Sequence, residues 1–200
     1  MAGYRQYVGG NWDAVSQFQI DYIRRSPKFS SDKTFLDLGC GSLRLGTNLI
    51  REMDSGKYIG LDFNKKFVDL GIERELNAAL VEEKKPRFII NDTFDLSEIH
   101  EQIDIAWCYA VFIHVNDSTM LHAAQNVRDK LKDDGVLYSS FSTYRNPVQP
   151  KNDFVYSETN QSAFYRTFEK IEEMYKSIGL SFQLAGNGVG TQMMVKSFKL

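Results

Sequence analysis

Thr34-Phe35-Leu36-Asp37-Leu38-Gly39-Cys40-Gly41-Ser42-Leu43-Arg44 joins an apolar run, two glycines and a change of periodicity in one short span. A short apolar run closed by a glycine turn reads as a strand, here Thr34 to Leu38. Beyond it, Leu45, Leu49, Ile50 and Met53 recur at helical spacing and form one apolar face. Gly39 and Gly41 carry no side chain, so a ligand can come close to the backbone between strand and helix. The following helix offers free N–H groups and a positive dipole end. A plain tight turn would use the same two glycines, so this turn needs corroboration from elsewhere in the chain.

Working outward, the chain alternates apolar runs with amphipathic stretches, the pattern of βαβ units. Upstream, Trp12 to Arg25 reads as a helix with Val15, Phe18 and Tyr22 on one face, stopped by Pro27. Downstream, Lys57 to Asp62 is a second strand. A single long helix from about Asn64 follows, with Phe67, Leu70, Leu76 and Leu80 as its stripe. Arg87 to Ile90 and Ile103 to Cys108 are the third and fourth strands. Asp117 is placed to cap a helix carrying Met120, Ala124, Val127 and Leu131. Asp133-Asp134-Gly135 turns into a fifth strand from Val136 to Phe141. After the polar, aromatic residues 142–163, Thr167 caps a last helix that Gly179 ends. Two closing strands, near Ser181–Leu184 and Gln192–Phe198, flank the glycine-rich loop from Gly186 to Gly190. That short return predicts an antiparallel last pair.

The 200 residues fit one domain, and 42% hydrophobic content supplies its core. We expect a single unit over 1–200, with residues 1–30 as an N-terminal helical cap and 142–165 as an irregular acceptor-side segment. Lys and Arg total 24 against 26 Asp and Glu, a formal net charge of -2. Such a balance argues against a nucleic-acid partner, which needs a basic face. Lys84-Lys85-Pro86-Arg87 reads as a solvated loop. With no apolar run of membrane-spanning length and no apolar leader after Met1, neither a membrane partner nor secretion is expected. Two cysteines, Cys40 and Cys108, suit a reducing cytoplasm.

In an open parallel sheet, ligands bind beyond the carboxyl ends of the strands. The second strand ends at Asp62, whose carboxylate is suited to accept from both hydroxyls of a ribose or to cap the next helix. The third ends Asn91-Asp92-Thr93-Phe94, where Asp92 is suited to the exocyclic amine of adenine or to capping. Phe63 and Phe94 are candidates for the two faces of the ring, or for the core. A close-approach turn, a ribose acceptor and an adenine acceptor in chain order describe a pocket for an adenosine with a charged tail. A nicotinamide dinucleotide calls for Gly-x-Gly-x-x-Gly. Here Arg44 stands at the third glycine, and Gly46 comes too late. No phosphate-cradling lysine loop is present, so the pocket suits a nucleoside without phosphates.

These residues carry a resemblance. Phe35 to Gly46 resembles the first motif of class I S-adenosylmethionine-dependent methyltransferases. Asp62 and Asp92 match the acidic residues after that family's second and third strands. Asp104 to His114 resembles its fourth strand and the succeeding turn. The resemblance implies an α/β, Rossmann-like sheet of order 3-2-1-4-5-7-6, last strand antiparallel, with helices on both faces. It implies S-adenosylmethionine as methyl donor and S-adenosylhomocysteine as product. Asp37, Gly39, Cys40, Gly41, Ser42, Arg44, Asp62, Phe63, Asp92, Thr93 and Tyr109 would then bind the donor. Val8-Gly9-Gly10-Asn11-Trp12, Gln19, Gly39 to Arg44, Tyr58 to Asp62 and Val111 to His114 also resemble small bacterial methyltransferases often linked to surface-saccharide or secondary metabolism. Leu43 departs from the broader pattern, in which many members carry glycine.

A sulfonium methyl is already activated, so positioning and exclusion of water carry most of the work. His114, after the fourth strand, is the candidate general base, or else a histidine wedged against the next helix. His100 and His122 read as surface residues. Cys40 and Cys108 end strands that the resemblance makes neighbours, and so are expected close together near the donor, as small wall residues rather than a redox pair. Trp12, Tyr144 and Arg145 are candidate acceptor-binding residues, within an aromatic set that also suits ordinary surface packing. No carboxylate cluster follows the fourth strand, so no metal is expected. The leading expectation is methyl transfer to a small molecule, at a hydroxyl oxygen of a sugar or secondary metabolite. Methylation of a protein or peptide nitrogen and a non-catalytic cofactor-binding scaffold are the alternatives, with a nicotinamide oxidoreductase behind them. The oligomeric state is not legible.

Overall fold

The computed structural model describes residues 4–5, 11–143, 154–155 and 163–200. Helix α1 (Trp12–Arg24) leads into β1 (Phe35–Leu38), α2 (Gly46–Glu52), β2 (Tyr58–Asp62), α3 (Lys65–Glu75), α4 (Ala78–Lys84) and β3 (Arg87–Ile90). Then come β4 (Ile103–Cys108), a 3₁₀ turn (Phe112–His114), α5 (Asp117–Lys130) and β5 (Leu131–Thr143). The chain closes with β6 (Phe154–Val155), β7 (Ala163–Arg166), α6 (Phe168–Ser177), β8 (Gln183–Asn187) and β9 (Gln192–Ser197).

Strands β3-β2-β1-β4-β5 are parallel neighbours, β9 runs antiparallel along β5, and β8 runs antiparallel along β9. With the closing pair counted as sixth and seventh, this is the expected 3-2-1-4-5-7-6 sheet. Two ladders go beyond that expectation. Segment 142–165 has no regular pattern in sequence, yet β7 pairs parallel with the end of β5 through Ser142↔Tyr165 and Thr143↔Arg166, and β6 pairs with β7. Ser142 also pairs with Gln192 of β9. The two edges of β5 are thus used by different partners, and β7 continues on the β4 side past the end of β4. Strand β5 has room for this because it runs to Thr143, past its last pair with β4 at Ser139; at its other end it crosses Asp133-Asp134-Gly135 by a register shift against Ile103 and Ile105.

Side chains alternate across the sheet and build two cores. Leu36, Leu38, Ala106 and Cys108 join Val127 of α5 and Ile171 of α6 on one face. Phe35, Ile105 and Trp107 join Ile23 of α1 and Leu49 of α2 on the other, with Cys40 among them. The two cysteines therefore belong to opposite cores, which corrects the expectation that they sit together. Both are free and buried, and burial pushes each thiol well up.

Helix α1 buries Val15, Ser16, Gln19, Ile20 and Ile23, a face rotated from the expected Val15, Phe18 and Tyr22. A polar residue enters that face because Trp107 Nε1 donates to Gln19 Oε1 at 2.8 Å. The long helix expected after Asn64 is two helices. Leu76 is extended (φ -109°, ψ 151°) and Asn77 restarts the helix by accepting from the Leu80 amide at 2.7 Å. At the start of α5 the cap is Asn116, which accepts from Thr119 N–H at 2.9 Å. Asp117, the expected cap, is taken by two cations from the far side of the chain. Thr167 caps α6 as read.

Candidate functional site at the strand tips

Parallel pairing sets the tips of β1, β2, β3 and β4 side by side. Gly39, just past β1, has φ +79°, a conformation that favours glycine. A Cβ there would stand 2.2 Å from Val111 Cγ2, so the β4 loop closes directly over the glycine backbone. Gly39 and Cys40 both donate amides to Leu61 O, at 2.7 and 3.0 Å. Gly41 N–H donates to Asp62 Oδ2 at 2.8 Å, and Asn64 N–H to Asp62 Oδ1 at 2.8 Å. Asp62 thus ties the β1 turn to the start of α3, and a carboxylate with about four acceptor sites keeps capacity beyond these amides. It is 7% exposed, and burial raises its pKa against the pull of the Asn64, Gly41 and Phe63 amides.

The next positions make the turn tight. Leu43 has φ +67° although it is leucine, and it is fully buried. Gly71 on α3 leaves room for it, since a Cβ on Gly71 would lie 2.8 Å from Leu43 Cγ and 2.7 Å from Ser42 O. Gly60 does the same for Cys40, whose Sγ would be 2.9 Å from an added Cβ. Around Asp62, two buried oxygens have no hydrogen-bond partner among the described residues: Ser42 Oγ and Asn91 Oδ1. Asn91 follows β3, and its amide donates to Asp62 O at 3.2 Å. Ser42 is among the residues expected at the site, and Asn91, beside Asp92, is not. The available signal was its place at a strand tip.

The other expected residues divide. Phe63 is 70% exposed beside Asp62, an unusual setting for a phenyl ring. Asp92 and Thr93 are exposed past the β3 tip. Phe94 (φ +56°) packs against the first core instead. Tyr109 lies parallel to Trp107 with centroids 5.9 Å apart, and its hydroxyl accepts from the Val189 amide at 2.9 Å, tying β4 to the β8–β9 hairpin. Arg44 is partly buried, which lowers its pKa against the fields of Tyr109 and Asp37. Asp37 does not open onto the cleft. It is 4% exposed, and Tyr58 O–H donates to it at 2.6 Å. Burial, with the field of Asp62, lifts its pKa to about 7, while the Tyr58 bond and Arg44 pull it down.

His114 is exposed at the end of the 3₁₀ turn. Trp12 opens α1 under Arg5, whose guanidinium carbon lies 5.0 Å from the ring centroid. Arg5 grips Glu75 with two 2.8 Å bonds, and Tyr4 O–H donates to the same carboxylate. Tyr144 and Arg145 lie outside the described residues. Two cavities lie away from the tips: one of about 440 Å³ between α1 and the β8–β9 hairpin, one of about 320 Å³ under the amino ends of β1 and β4. No tip residue lines either.

Residues 36–137 match the family described as "Methyltransferase domain". The chain belongs to that family. The match takes in every tip residue from Asp37 to His114. Solved structures similar to this methyltransferase domain include the PH0226 protein of Pyrococcus horikoshii OT3, with TM-score 0.73 and 14% identity over 98% of this chain and 95% of that one. An S-adenosylmethionine-dependent methyltransferase of Clostridium acetobutylicum ATCC 824 follows at TM-score 0.69 and 15% identity, covering 96% and 94%. The magnesium protoporphyrin IX methyltransferase of Synechocystis PCC 6803, solved with its donor bound, gives 0.68 and 16%, covering 94% and 79%. At such identities the likeness is one of fold.

Proposed function

We propose that this methyltransferase carries the methyl group of S-adenosylmethionine to a hydroxyl oxygen of a small molecule, a sugar or secondary metabolite. The carrying observation is Asp62, bound through both oxygens to loop amides and still able to accept from a ribose diol. Three further features fit the donor: a side-chain-free bend at Gly39, unpartnered buried oxygens on Ser42 and Asn91, and an exposed Phe63. The group supplies a methyl already activated by its sulfonium. Gly39, Cys40, Gly41, Ser42 and Arg44 would hold its amino-acid end with Tyr109, and Asp62 its ribose. Phe63, Asp92 and Thr93, joined by Asn91, would hold the adenine. Asp37 supports the site from beneath through Tyr58.

His114 would take the acceptor's hydroxyl proton, a contribution typically of 10²–10⁴-fold. Trp12, with Tyr144 and Arg145, would face the acceptor. In this reading residues 1–200 form one unit, with 1–30 as cap and 142–165 on the acceptor side. Titration calorimetry with S-adenosylhomocysteine tests the donor site: Asp62→Ala should weaken binding by roughly tenfold or more, since a hydrogen bond to a charged group is worth about 1.5–3 kcal/mol. Unchanged affinity would sink the assignment. Labelled donor incubated with cell extract tests the acceptor. Label in small products supports the proposal, and label confined to protein overturns it in favour of peptide nitrogen.

A further inference from the structure

Arg166 on β7 is fully buried (0% exposed), and its guanidinium spends its donors on the connection between β4 and α5. Nη1 donates to Phe112 O at 2.8 Å, Nη2 to Val115 O at 2.6 Å, and Nε to Asp117 Oδ1 at 2.7 Å. Lys170 of α6 holds the other oxygen of Asp117 at 2.6 Å. The carbonyls so gripped bracket the 3₁₀ turn that ends in His114. Val111, which closes over Gly39, immediately precedes that turn. Upstream, Ala110 (φ +59°) donates its amide to Ser140 Oγ at 2.8 Å, so the same loop is held from β5 as well. Strand β7 has only two paired positions on β5. The arginine adds three hydrogen bonds to that short ladder.

We propose that Arg166 is a positioning residue that fastens β7 to the Val111–His114 turn, so that His114 and the floor over Gly39 are set together with the end of β5. The proposal rests on the site reading above for what the turn does, but its geometry stands apart from any ligand. A planar fork presents three separate nitrogens in fixed directions, one to each acceptor, and the single ammonium nitrogen of a lysine cannot span the three positions. The arrangement also ties β7 and α6 to the turn beside Gly39 through one rigid group, the condition for a change at the turn to be felt through that group.

The test uses Arg166→Lys and the milder Asp117→Asn in the full chain. The chain has three histidines, so His114 can be followed by its imidazole resonances with His100 and His122 as internal references. In Arg166→Lys, without ligand, amide exchange over 111–116 should rise at least tenfold and only the His114 signals should move. S-adenosylhomocysteine should bind within about threefold of wild type, because no donor-binding residue contacts the guanidinium. Its binding should shift His114 in wild type and fail to do so in Arg166→Lys. Asp117→Asn should show the same changes in smaller degree. If lysine restores wild-type exchange and the wild-type His114 response, or if both variants simply unfold, the proposal is overturned. Absence of S-adenosylhomocysteine binding in wild type would instead count against the donor site and leave the ligand-free exchange and His114 signature as the test of Arg166.

Discussion

At the scale of single residues, glycine and aspartate are used for what only they supply here. Gly39 combines a positive φ with a neighbour 2.2 Å from its missing Cβ. Gly39→Ala should therefore destabilise the fold by about 1–3 kcal/mol in denaturant unfolding. Adding Val111→Ala should recover the steric part and leave the strain of φ +79°. Full recovery would show that strain is unimportant there. Asp37 makes a pH prediction. Its folded pKa, about 7, lies above the ordinary carboxylate value. The stability gained by holding the proton is complete below about pH 4 and is lost as pH rises through about 7. Asp37→Asn keeps an acceptor for Tyr58 and never ionises. It should gain on wild type between pH 5 and pH 8, and parallel stability curves would refute the buried ionisation. Asp62 and both glycines were legible from spacing. Asn91 was not singled out, because its value lies in an unpartnered oxygen that only packing creates.

At the scale of elements, caps decided what periodicity left open. The apolar stripe from Phe67 to Leu80 is continuous in sequence, yet Asn77 satisfies the Leu80 amide and divides it into α3 and α4. Asn77→Ala should cost about 1 kcal/mol, read as a lowered urea midpoint with unchanged slope. An unchanged midpoint would show that packing alone makes the break. Asp117 looked like a cap from its place before the helix. Asn116 takes that role because Asp117 is drawn to Arg166 and Lys170. Burial alone would raise the Asp117 pKa, but the Lys170 and Arg166 bonds hold it below the ordinary value. Its contribution is present above about pH 4 and is lost as pH falls towards the folded value. Exchange over 111–116 should therefore rise on acidification in wild type and less so in Asp117→Asn. Nothing in the local sequence marked Arg166, since two of its three partners are backbone carbonyls distant in the chain.

At the scale of the molecule, α1 is the outer wall of the second core. Gln19 satisfies the Trp107 indole, Tyr22 O–H donates to Ala185 O at 2.8 Å, and Ser26 shares a hydrogen bond with Tyr138. A chain beginning at Lys33 retains Trp107 as its sole tryptophan, because Trp12 leaves with the helix. Its emission should shift to the red, with loss of a cooperative transition. A blue-shifted, cooperative product would show that the sheet needs no such cover. Gln19→Leu in the full chain should cost about 1–3 kcal/mol, because it leaves a buried N–H unpaired.

The one-dimensional pattern determined the order of elements, the parallel sheet with an antiparallel close, and the acids and glycines at its tips. Each of those rests on local rules: period two or 3.6, turn chemistry, and strand ends that share an edge. Only the folded chain decided which core each cysteine joins, that Asp37 is sealed under Tyr58, and that β7 pairs with the end of β5 with Arg166 gripping the turn. Those outcomes depend on contacts between distant positions, where burial and hydrogen-bond satisfaction choose among partners that local propensity ranks alike.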